Sequence, residues 1–485
     1  MRGPCAAALI AGALLPAQPP PAAAAAPRPV AAASTRADLD RAVARGVRFL
    51  LDNRNADRGW NSREYVLTSP GHKTAITAAA MDAVLAGAGP TPEALDAVRD
   101  AAAFLEKHSP EMGEGRLHDG FDFNGWGAAY GLRHLAGVRD RWPAGTKGPD
   151  TRALVDRFLA WAKSHQRPCG GWSYLTANQD PAYGADGSVS FMTGVMLEGI
   201  ARWDAKSPLL EKGAADLEKS LDGEGRALYS HTGAWPEYPR GREESAGRSL
   251  QAAVVLAGLG RRAVAEVEAR LAEFLAVRGE YEKTRNSHAH AEPHRIAGYY
   301  YYHAHSYAAR ALRLLAAKEG APSKERGERV ATLLDALLKE QDADGAWMDA
   351  PCGDRPYATA LAVLALLDLR ELLFPWAGTL EAAVVSAREK SLPVVVLYAD
   401  ASADSRKAEE ALAGKDLEPL RERVVWLRVA KEDTEAWKAA KVTKGGTILL
   451  LGGEAGYDPV KPASKFGPGA SARLLKVKIE ALLPR

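Results

Sequence analysis

The sequence predicts a mainly helical chain in two parts: six helical hairpins arranged as two concentric layers, then a small α/β domain. Three observations predict it. A short glycine-containing loop, usually ending in an aromatic residue, recurs six times before Phe374-Pro375-Trp376. Charged amphipathic stretches alternate with stretches of small and apolar residues around these loops. Beyond Trp376 the pattern changes to helices alternating with runs of β-branched residues.

The loops are Gly59-Trp60, Gly115-Arg116-Leu117, Gly170-Gly171-Trp172, Gly233-Ala234-Trp235, Gly279-Glu280-Tyr281 and Gly345-Ala346-Trp347, at intervals of 46 to 66 residues. A loose period is expected when insertions fall in loops. Glycine supplies the positive φ of a tight turn, and the aromatic residue plugs the helix ends.

An amphipathic helix is predicted before each loop: Leu39–Asp52, Leu95–His108, Thr151–His165, Leu209–Leu221, Ala263–Ala276 and Arg326–Glu340. Leu271, Phe274 and Leu275 show the helical spacing, with charges on the other face. A helix of small and apolar residues is predicted after each loop: Thr74–Leu85, Gly127–Leu135, Phe191–Ile200, Leu250–Leu259, Ser306–Leu315 and Tyr357–Leu367. A helix apolar on nearly every side must be buried on nearly every side. The amphipathic set therefore forms the outer layer and the small-residue set the inner one. An open solenoid of hairpins satisfies the same pattern.

The C-terminal segment reads as helix Thr379–Lys390, strand Pro393–Tyr398, helix Ala403–Ala413, strand Val424–Val429, helix Thr434–Ala440, strand Thr447–Leu451 and helix Ser471–Leu482. That alternation implies a mixed sheet with helices against it.

Lys plus Arg number 63 and Asp plus Glu 61, a formal net charge of +2. Such a balance gives no reason to expect nucleic acid as a partner. Arg2, the apolar run Ala6 to Ala17 and an Ala/Pro stretch through Ala33 have the pattern of a secretory signal with a linker. The expected location is extracytoplasmic, periplasmic or secreted. The apolar run is too short to anchor the chain across a bilayer, and no later segment offers a longer one. The three cysteines are Cys5, Cys169 and Cys352, with no CxxC. Neither a zinc ribbon nor a dithiol redox motif is available, and no cofactor is expected.

Gln341-Asp342-Ala343-Asp344-Gly345-Ala346-Trp347 resembles the QW motif of squalene–hopene and oxidosqualene cyclases. So does Gln166 to Trp172, and Phe49 to Trp60 more weakly, with Asn in place of Gln. Pro356-Tyr357-Ala358-Thr359-Ala360-Leu361-Ala362 resembles an inner helix of that superfamily, which includes the protein prenyltransferase β subunits. The resemblance runs from about residue 38 to 375. With the copy number of six, it favours a closed ring, an α6/α6 toroid, over the solenoid. It speaks to fold more than to activity. The DxDD acid of class II terpenoid cyclases is missing. Protein prenyltransferases hold zinc through an Asp and a Cys in close spacing and a distant His. Asp349 and Cys352 lie near each other here, but at a different spacing. The order of C-terminal elements resembles a thioredoxin fold. Tyr398-Ala399-Asp400-Ala401-Ser402-Ala403-Asp404 stands where redox-active relatives carry CxxC, and Gly446 precedes Thr447 where they carry a cis-proline. Without a thiolate there is no thiol–disulfide exchange. The domain reads as a docking module.

The expected domains are thus 1–34 (signal and linker), 35–376 (toroid) and 377–485 (thioredoxin-like).

Five of the 11 histidines, His288, His290, His294, His303 and His305, fall between Asn286 and Ser306, beside Glu292, Arg295 and Tyr299-Tyr300-Tyr301-Tyr302. Imidazoles ligate metals or move protons near neutral pH. Tyr301, His303 and His305 are the catalytic candidates, and His288, His290, Arg295 and Asp354 the binding candidates. No HExxH-type spacing fixes a metal, and a solvated loop with packed tyrosines is the ordinary alternative. Asp349, Cys352, Asp354 and Arg355 form a second set. Asp349 and Cys352 are weak metal candidates against a structural turn. A Cys169–Cys352 disulfide would need Cα atoms within about 7 Å, whereas loops three and six lie across the ring. Trp235, Glu237, Tyr238, Arg240, Arg242, Glu243 and Glu244 form a third set, a site or a salt-bridged loop.

Missing activity motifs favour a non-catalytic scaffold that binds an unknown ligand or protein partner. The alternatives are an enzyme acting in the toroid on an isoprenoid, or a lyase acting on a polysaccharide through Asn286, His288, Arg295 and Tyr301. The lining of the ring separates them: a greasy tunnel, an open polar groove, or a filled centre.

Overall fold

The computed structural model describes residues 36–60, 69–109, 123–174, 187–231, 241–287, 290–298, 300–319, 324–349, 355–373, 376–377, 380–400, 402–421, 423–430, 433–452, 456–459, 461–467 and 469–483.

Twelve described helices make the first part: α1 (Arg36–Asp52), α2 (Pro70–Ala88), α3 (Pro92–His108), α4 (Asn124–Arg141), α5 (Arg152–Ser164), α6 (Ser190–Trp203), α7 (Pro208–Lys219), α8 (Arg242–Gly258), α9 (Val264–Thr284), α10 (Tyr300–Glu319), α11 (Lys324–Lys339) and α12 (Arg355–Arg370). Each even-numbered helix packs against the next, and α12 packs against α2. The inner ring is therefore closed, and the molecule is an α/α toroid. The odd-numbered helices surround it; α1 meets α2, α11 and α12 and completes the outer layer. Sequence explains the division. α3 buries only one stripe, including Ala94, Ala97, Val98, Ala101 and Leu105. α4 is buried on every side from Asn124 to Val138.

The corners repeat in atomic detail. Trp60, Trp172 and Trp347 are fully buried. Each indole N–H donates to the carbonyl ten residues upstream, on Leu50, Ala162 and Leu337, at 2.7–2.8 Å. Each backbone N–H donates at 3.0 Å to a threonine of the following inner helix: Thr77, Thr193 and Thr359. Gly170 (φ 108°) and Gly345 (φ 94°) take left-handed conformations. A Cβ there would also sit 2.4 Å from the Lys212 carbonyl oxygen and 2.6 Å from that of Arg45. Only glycine fits both demands.

Two expected corners are corrected. Gly279-Glu280-Tyr281 is not a loop; α9 runs through it to Thr284. An internal glycine costs a helix only about 1 kcal/mol, less than the burial of Tyr281 returns. Its hydroxyl accepts from the Gly247 N–H at 2.8 Å. The fourth corner is Asp222–Arg226, where Asp222 N–H donates to Arg226 O (2.9 Å) and Gly225 N–H to Asp222 O (2.9 Å), as in the other corners. Ala227 stands where they have tryptophan, and its N–H donates to Ser249 at 2.9 Å. Gly233 to Trp235 and Gly115 to Leu117 lie outside the described residues. The fifth inner helix starts at Tyr300, six residues before the expected Ser306, so Tyr300, Tyr301, Tyr302, His303 and His305 are helical rather than in a loop.

A hairpin of β1 (His290–Ala291) and β2 (Ile296–Ala297) precedes α10. The last part contains β3 (Trp376–Ala377), α13 (Leu380–Lys390), β4 (Val394–Ala399), α14 (Ala403–Ala413), β5 (Val425–Ala430), α15 (Thr434–Ala439), β6 (Thr447–Leu451), β7 (Ser464–Phe466) and α16 (Ala472–Glu480). It is a small α/β arrangement with strand order β3-β5-β4-β6-β7. β3, β5 and β4 are parallel, while β6 and β7 are antiparallel to their neighbours. Alternate β4 residues serve two cores. Val395 and Leu397 pack with Leu412, Leu475 and Ile479; Val394, Val396 and Tyr398 pack with Ala383, Ala387 and Trp437. The short strands β3 and β7 have no run of β-branched residues and were not expected from the sequence.

Candidate ligand-binding site

The inner helices carry an aromatic and polar stripe toward the ring axis. On α4, Trp126, Tyr130 and His134 are four residues apart with centroid separations of 5.7 Å, the first pair stacked and the second tilted. The Tyr130 hydroxyl lies 3.0 Å from Nδ1 of His303 on α10 and 3.0 Å from the Tyr357 hydroxyl on α12. Nε2 of His303 lies 3.1 Å from Oε1 of Gln251 on α8. Gln251 donates through its amide nitrogen to Phe191 O at 2.7 Å, so its oxygen must be an acceptor. His303 therefore carries its proton on Nε2 and accepts from Tyr130 at Nδ1. Burial, with Arg133 adding, pushes the imidazole down to about 3. Burial pushes the Tyr130 phenol up to about 12. This level of the ring is filled by a neutral network reaching across four inner helices.

Below this network, at the C-terminal ends of the inner helices, lies a cavity of about 420 Å³. Its described lining holds six arginines (Arg133, Arg141, Arg202, Arg310, Arg313 and Arg370), four carboxylates (Asp82, Glu198, Asp368 and Glu371) and His134. Glu198 is the centre of one cluster. Its carboxylate accepts from Arg310 at 2.6 Å and from the Tyr307 hydroxyl at 2.8 Å, and Arg133 Nε lies 3.4 Å away. Both guanidiniums also lie over the Tyr307 ring, at 5.1 and 5.0 Å. Burial alone would raise the Glu198 carboxyl; Arg133 and Arg310 overcome it and hold it at about 2. Asp82 is the centre of the other, 2.9 Å from Nδ1 of His134 and 2.7 Å from Arg141. Burial pulls the His134 imidazole down despite Asp82. Arg313 pairs with Asp368 and with Glu371.

The negative ends of the inner-helix dipoles, roughly half a charge each, face this mouth. The described lining has two more guanidiniums than carboxylates, and Asp140 and Asp40 beyond it pair with Arg202 (2.6 Å) and Arg370 (3.7 Å). Each of the six guanidiniums is already paired with a carboxylate. Guanidinium forks match planar carboxylate and tetrahedral phosphate groups.

The candidates read from the sequence do not converge. His303 is in the axial network, with both nitrogens bonded. His305, two residues on, faces outward: its Nδ1 meets Tyr301 O at 2.7 Å and its ring lies edge-on to Phe274 of α9. Burial lowers it to about 4. Tyr301 packs on His305 at 4.3 Å and lies beneath the Arg285 guanidinium. Arg295 sits at the β1–β2 turn with φ 53° and pairs with Glu292 at 3.1 Å. His290 forms part of β1. Asp349 is fully buried. His288, Cys352 and Asp354 lie outside the described residues, as do Trp235, Glu237, Tyr238 and Arg240. Among the described residues no group of three His, Cys, Asp or Glu side chains could hold a metal ion. Cys169 is a thiol, raised by burial. Glu244 forms a buried pair with Arg248 at 2.5–2.6 Å within α8.

Asp82, Arg133, His134, Glu198 and Arg310 were missed. A signal was available: each is a charged or titratable residue in a helix the sequence marks as buried on nearly every side.

No family model matches the sequence, and neither does any curated protein. Solved structures similar to it include the type II terpene cyclase MstE from Scytonema, at 15% identity and TM-score 0.47 over 70% of this chain and 100% of that one. The GH76A alpha-1,6-mannanase from Salegentibacter sp. HEL1_6 has 12% identity and TM-score 0.43 over 69% and 99%. A possible member of the GH105 family from Salmonella enterica has 12% identity and TM-score 0.44 over 72% and 97%. Similarity at this level carries no function across; the closed ring itself rests on the helix contacts.

Proposed function

We propose that the chain is an exported, non-catalytic binding protein whose toroid holds a small anionic ligand in the arginine-lined cavity. The observation that carries this reading is the convergence of six guanidiniums on a cavity of about 420 Å³ beneath a filled ring centre. That volume is within the range of small-molecule sites. His303, saturated and neutral, is a support for the wall rather than a catalytic base. Export rests on Arg2 and the apolar run Ala6 to Ala17. No helix among the described residues is long and apolar enough to cross a membrane.

The separate cores support a division near residue 376 between the toroid and a thioredoxin-like docking domain. The strand order, three parallel strands followed by two antiparallel ones, is the reason for the second name. At the end of β4, where a dithiol would stand, the Ser405 hydroxyl donates to Asp400 at 2.8 Å and Ser402 caps α14.

Titration calorimetry of the full chain with inorganic phosphate tests the binding reading. One site per chain is expected, weakened about ten-fold or more by the rim variant Arg313→Gln/Arg370→Gln. No binding to the unaltered chain, or equal binding to the variant, overturns it.

One observation favours the enzymatic alternative. At the opposite mouth His72 stacks on Phe123 at 4.1 Å, and Phe123 on Tyr174 at 5.8 Å. Such a platform suits a sugar face or an isoprenoid chain. Turnover of either class would transfer the function to that mouth.

A further inference from the structure

The fourth corner keeps the turn of the others and loses their plug. In the third and sixth corners the indole sits in a socket made by the corner, the inner helix that follows and the next outer helix. A Cβ on Gly213 of α7 would lie 2.6 Å from Cζ3 of Trp172 and 2.8 Å from Leu197 of α6. A Cβ on Gly46 of α1 would lie 2.7 Å from Cζ3 of Trp347 and 2.8 Å from Val363 of α12. Leu197 and Val363 each stand four residues after the threonine that locks their corner. Four residues after Ser249, which locks the fourth corner, stands Ala253. Ala253, Leu256, Leu221, Gly225 and Ala269 line a cavity of about 240 Å³ between the same kinds of element: the corner, α8 and α9. The hollow is in the place of an indole ring.

Its opening has a cause in the sequence. Gln166 and Gln341, six residues before their tryptophans, tether their corners to the next outer helix. Leu221 holds that position before Ala227 and has no amide to donate. Arg226 pairs with Glu273 of α9 at 2.9 Å instead, which holds the corner to that helix while the hollow remains. Leu256 is fully buried and Ala253 nearly so, whereas Ala269 and Glu224 are exposed. The hollow therefore has an apolar floor and a mouth in solvent. Arg262 and Arg270 stand at that mouth with Glu224 and Glu266, two charges of each sign, so no ion is selected. Guanidiniums beside an apolar floor favour an aromatic ring over an aliphatic chain.

We propose that the fourth corner is a docking socket for a tryptophan side chain of a partner protein. The chain's own corners supply the argument for the occupant: the same socket, built by the same three kinds of element, takes an indole wherever the sequence provides one. Tryptophan anchors many protein interfaces because one ring buries a large area in a pocket. The socket is separate from the arginine-lined cavity and does not rest on the anion-binding reading.

The test is calorimetry on the full chain with N-acetyl-tryptophanamide against N-acetyl-leucinamide, then with the peptide Gly-Gly-Trp-Gly-Gly. One site is expected, with the tryptophan probe bound about ten-fold tighter than the leucine probe. The peptide should bind at least as tightly as the capped residue. Ala227→Trp supplies the plug from within and should weaken the tryptophan probe about ten-fold or more. Ala253→Leu restores the residue of the third corner and should weaken it in the same direction. Equal affinity for the two capped probes, or no binding of either, overturns the inference. So does a tryptophan affinity unchanged in both variants. Binding of the capped residue with exclusion of the peptide assigns the socket to a free aromatic molecule and overturns the partner. If Ala227→Trp does not fold, Ala253→Leu decides.

Discussion

His303 joins α4, α8 and α10 only while it is neutral, because Nδ1 must accept from Tyr130. With a folded value of about 3 against an unfolded one of about 6.5, the unfolded chain takes up a proton that the folded chain refuses. This stability is fully present above about pH 6.5 and is lost as pH falls toward 3. The limit is about 1.4 kcal/mol per pH unit for one such histidine. His305, held near 4 by burial, adds in the same direction. Urea midpoints should therefore fall between pH 7 and pH 5, and the fall should be smaller in His303→Gln. An identical fall in the variant would assign the acid sensitivity elsewhere. The same residue shows what sequence could reveal. The crowding of His303 with His305 and Tyr301 was visible in the chain. Their separation was not, because residues two apart on a helix point about 200° around its axis. Had Tyr300–Glu319 been read as a helix from its first tyrosine, the split would have followed.

At the scale of elements, the hairpins were legible because their helices differ in kind: one apolar stripe outside, apolar all round inside. The corners ending in Trp60, Trp172 and Trp347 were legible from the tryptophan itself. The fourth was not, because Ala227 replaces the aromatic while the backbone turn at Asp222–Arg226 is kept. What the corners share is a lock between loop and inner helix. Thr77 Oγ1 receives the Trp60 N–H at 3.0 Å and donates to Trp60 O at 2.8 Å. Thr77→Val leaves that buried N–H unpaired and should cost about 1–3 kcal/mol in urea unfolding. Thr77→Ser should keep the lock, as Ser249 does at Ala227. A loss in Thr77→Ser with none in Thr77→Val would mean that the threonine methyl, not the hydroxyl, matters. The small β-strands were illegible for a different reason: β3 and β7 exist by pairing with β5 and β6, not by local propensity.

At the scale of the molecule, closure is made by the last corner on the first helix. Gln341 donates to Ala42 O of α1 at 2.9 Å, just as Gln166 donates to Leu209 O of α7 at 3.1 Å. Arg45 of α1 reaches back to the carbonyls of Asp342 and Ala343. The sixth corner thus treats the first helix as its neighbour in sequence, and six inner C-termini converge on one mouth. The cavity exists only because the ring closes. Its residues come from all six inner helices, which is why no single segment of sequence displays it. Crystals of the full chain soaked in selenate and measured at the selenium edge test this most directly. The anomalous peak is predicted inside the ring mouth, within hydrogen-bond reach of Arg310 and Arg313. Anomalous density confined to the outer surface, with that mouth empty, would contradict it.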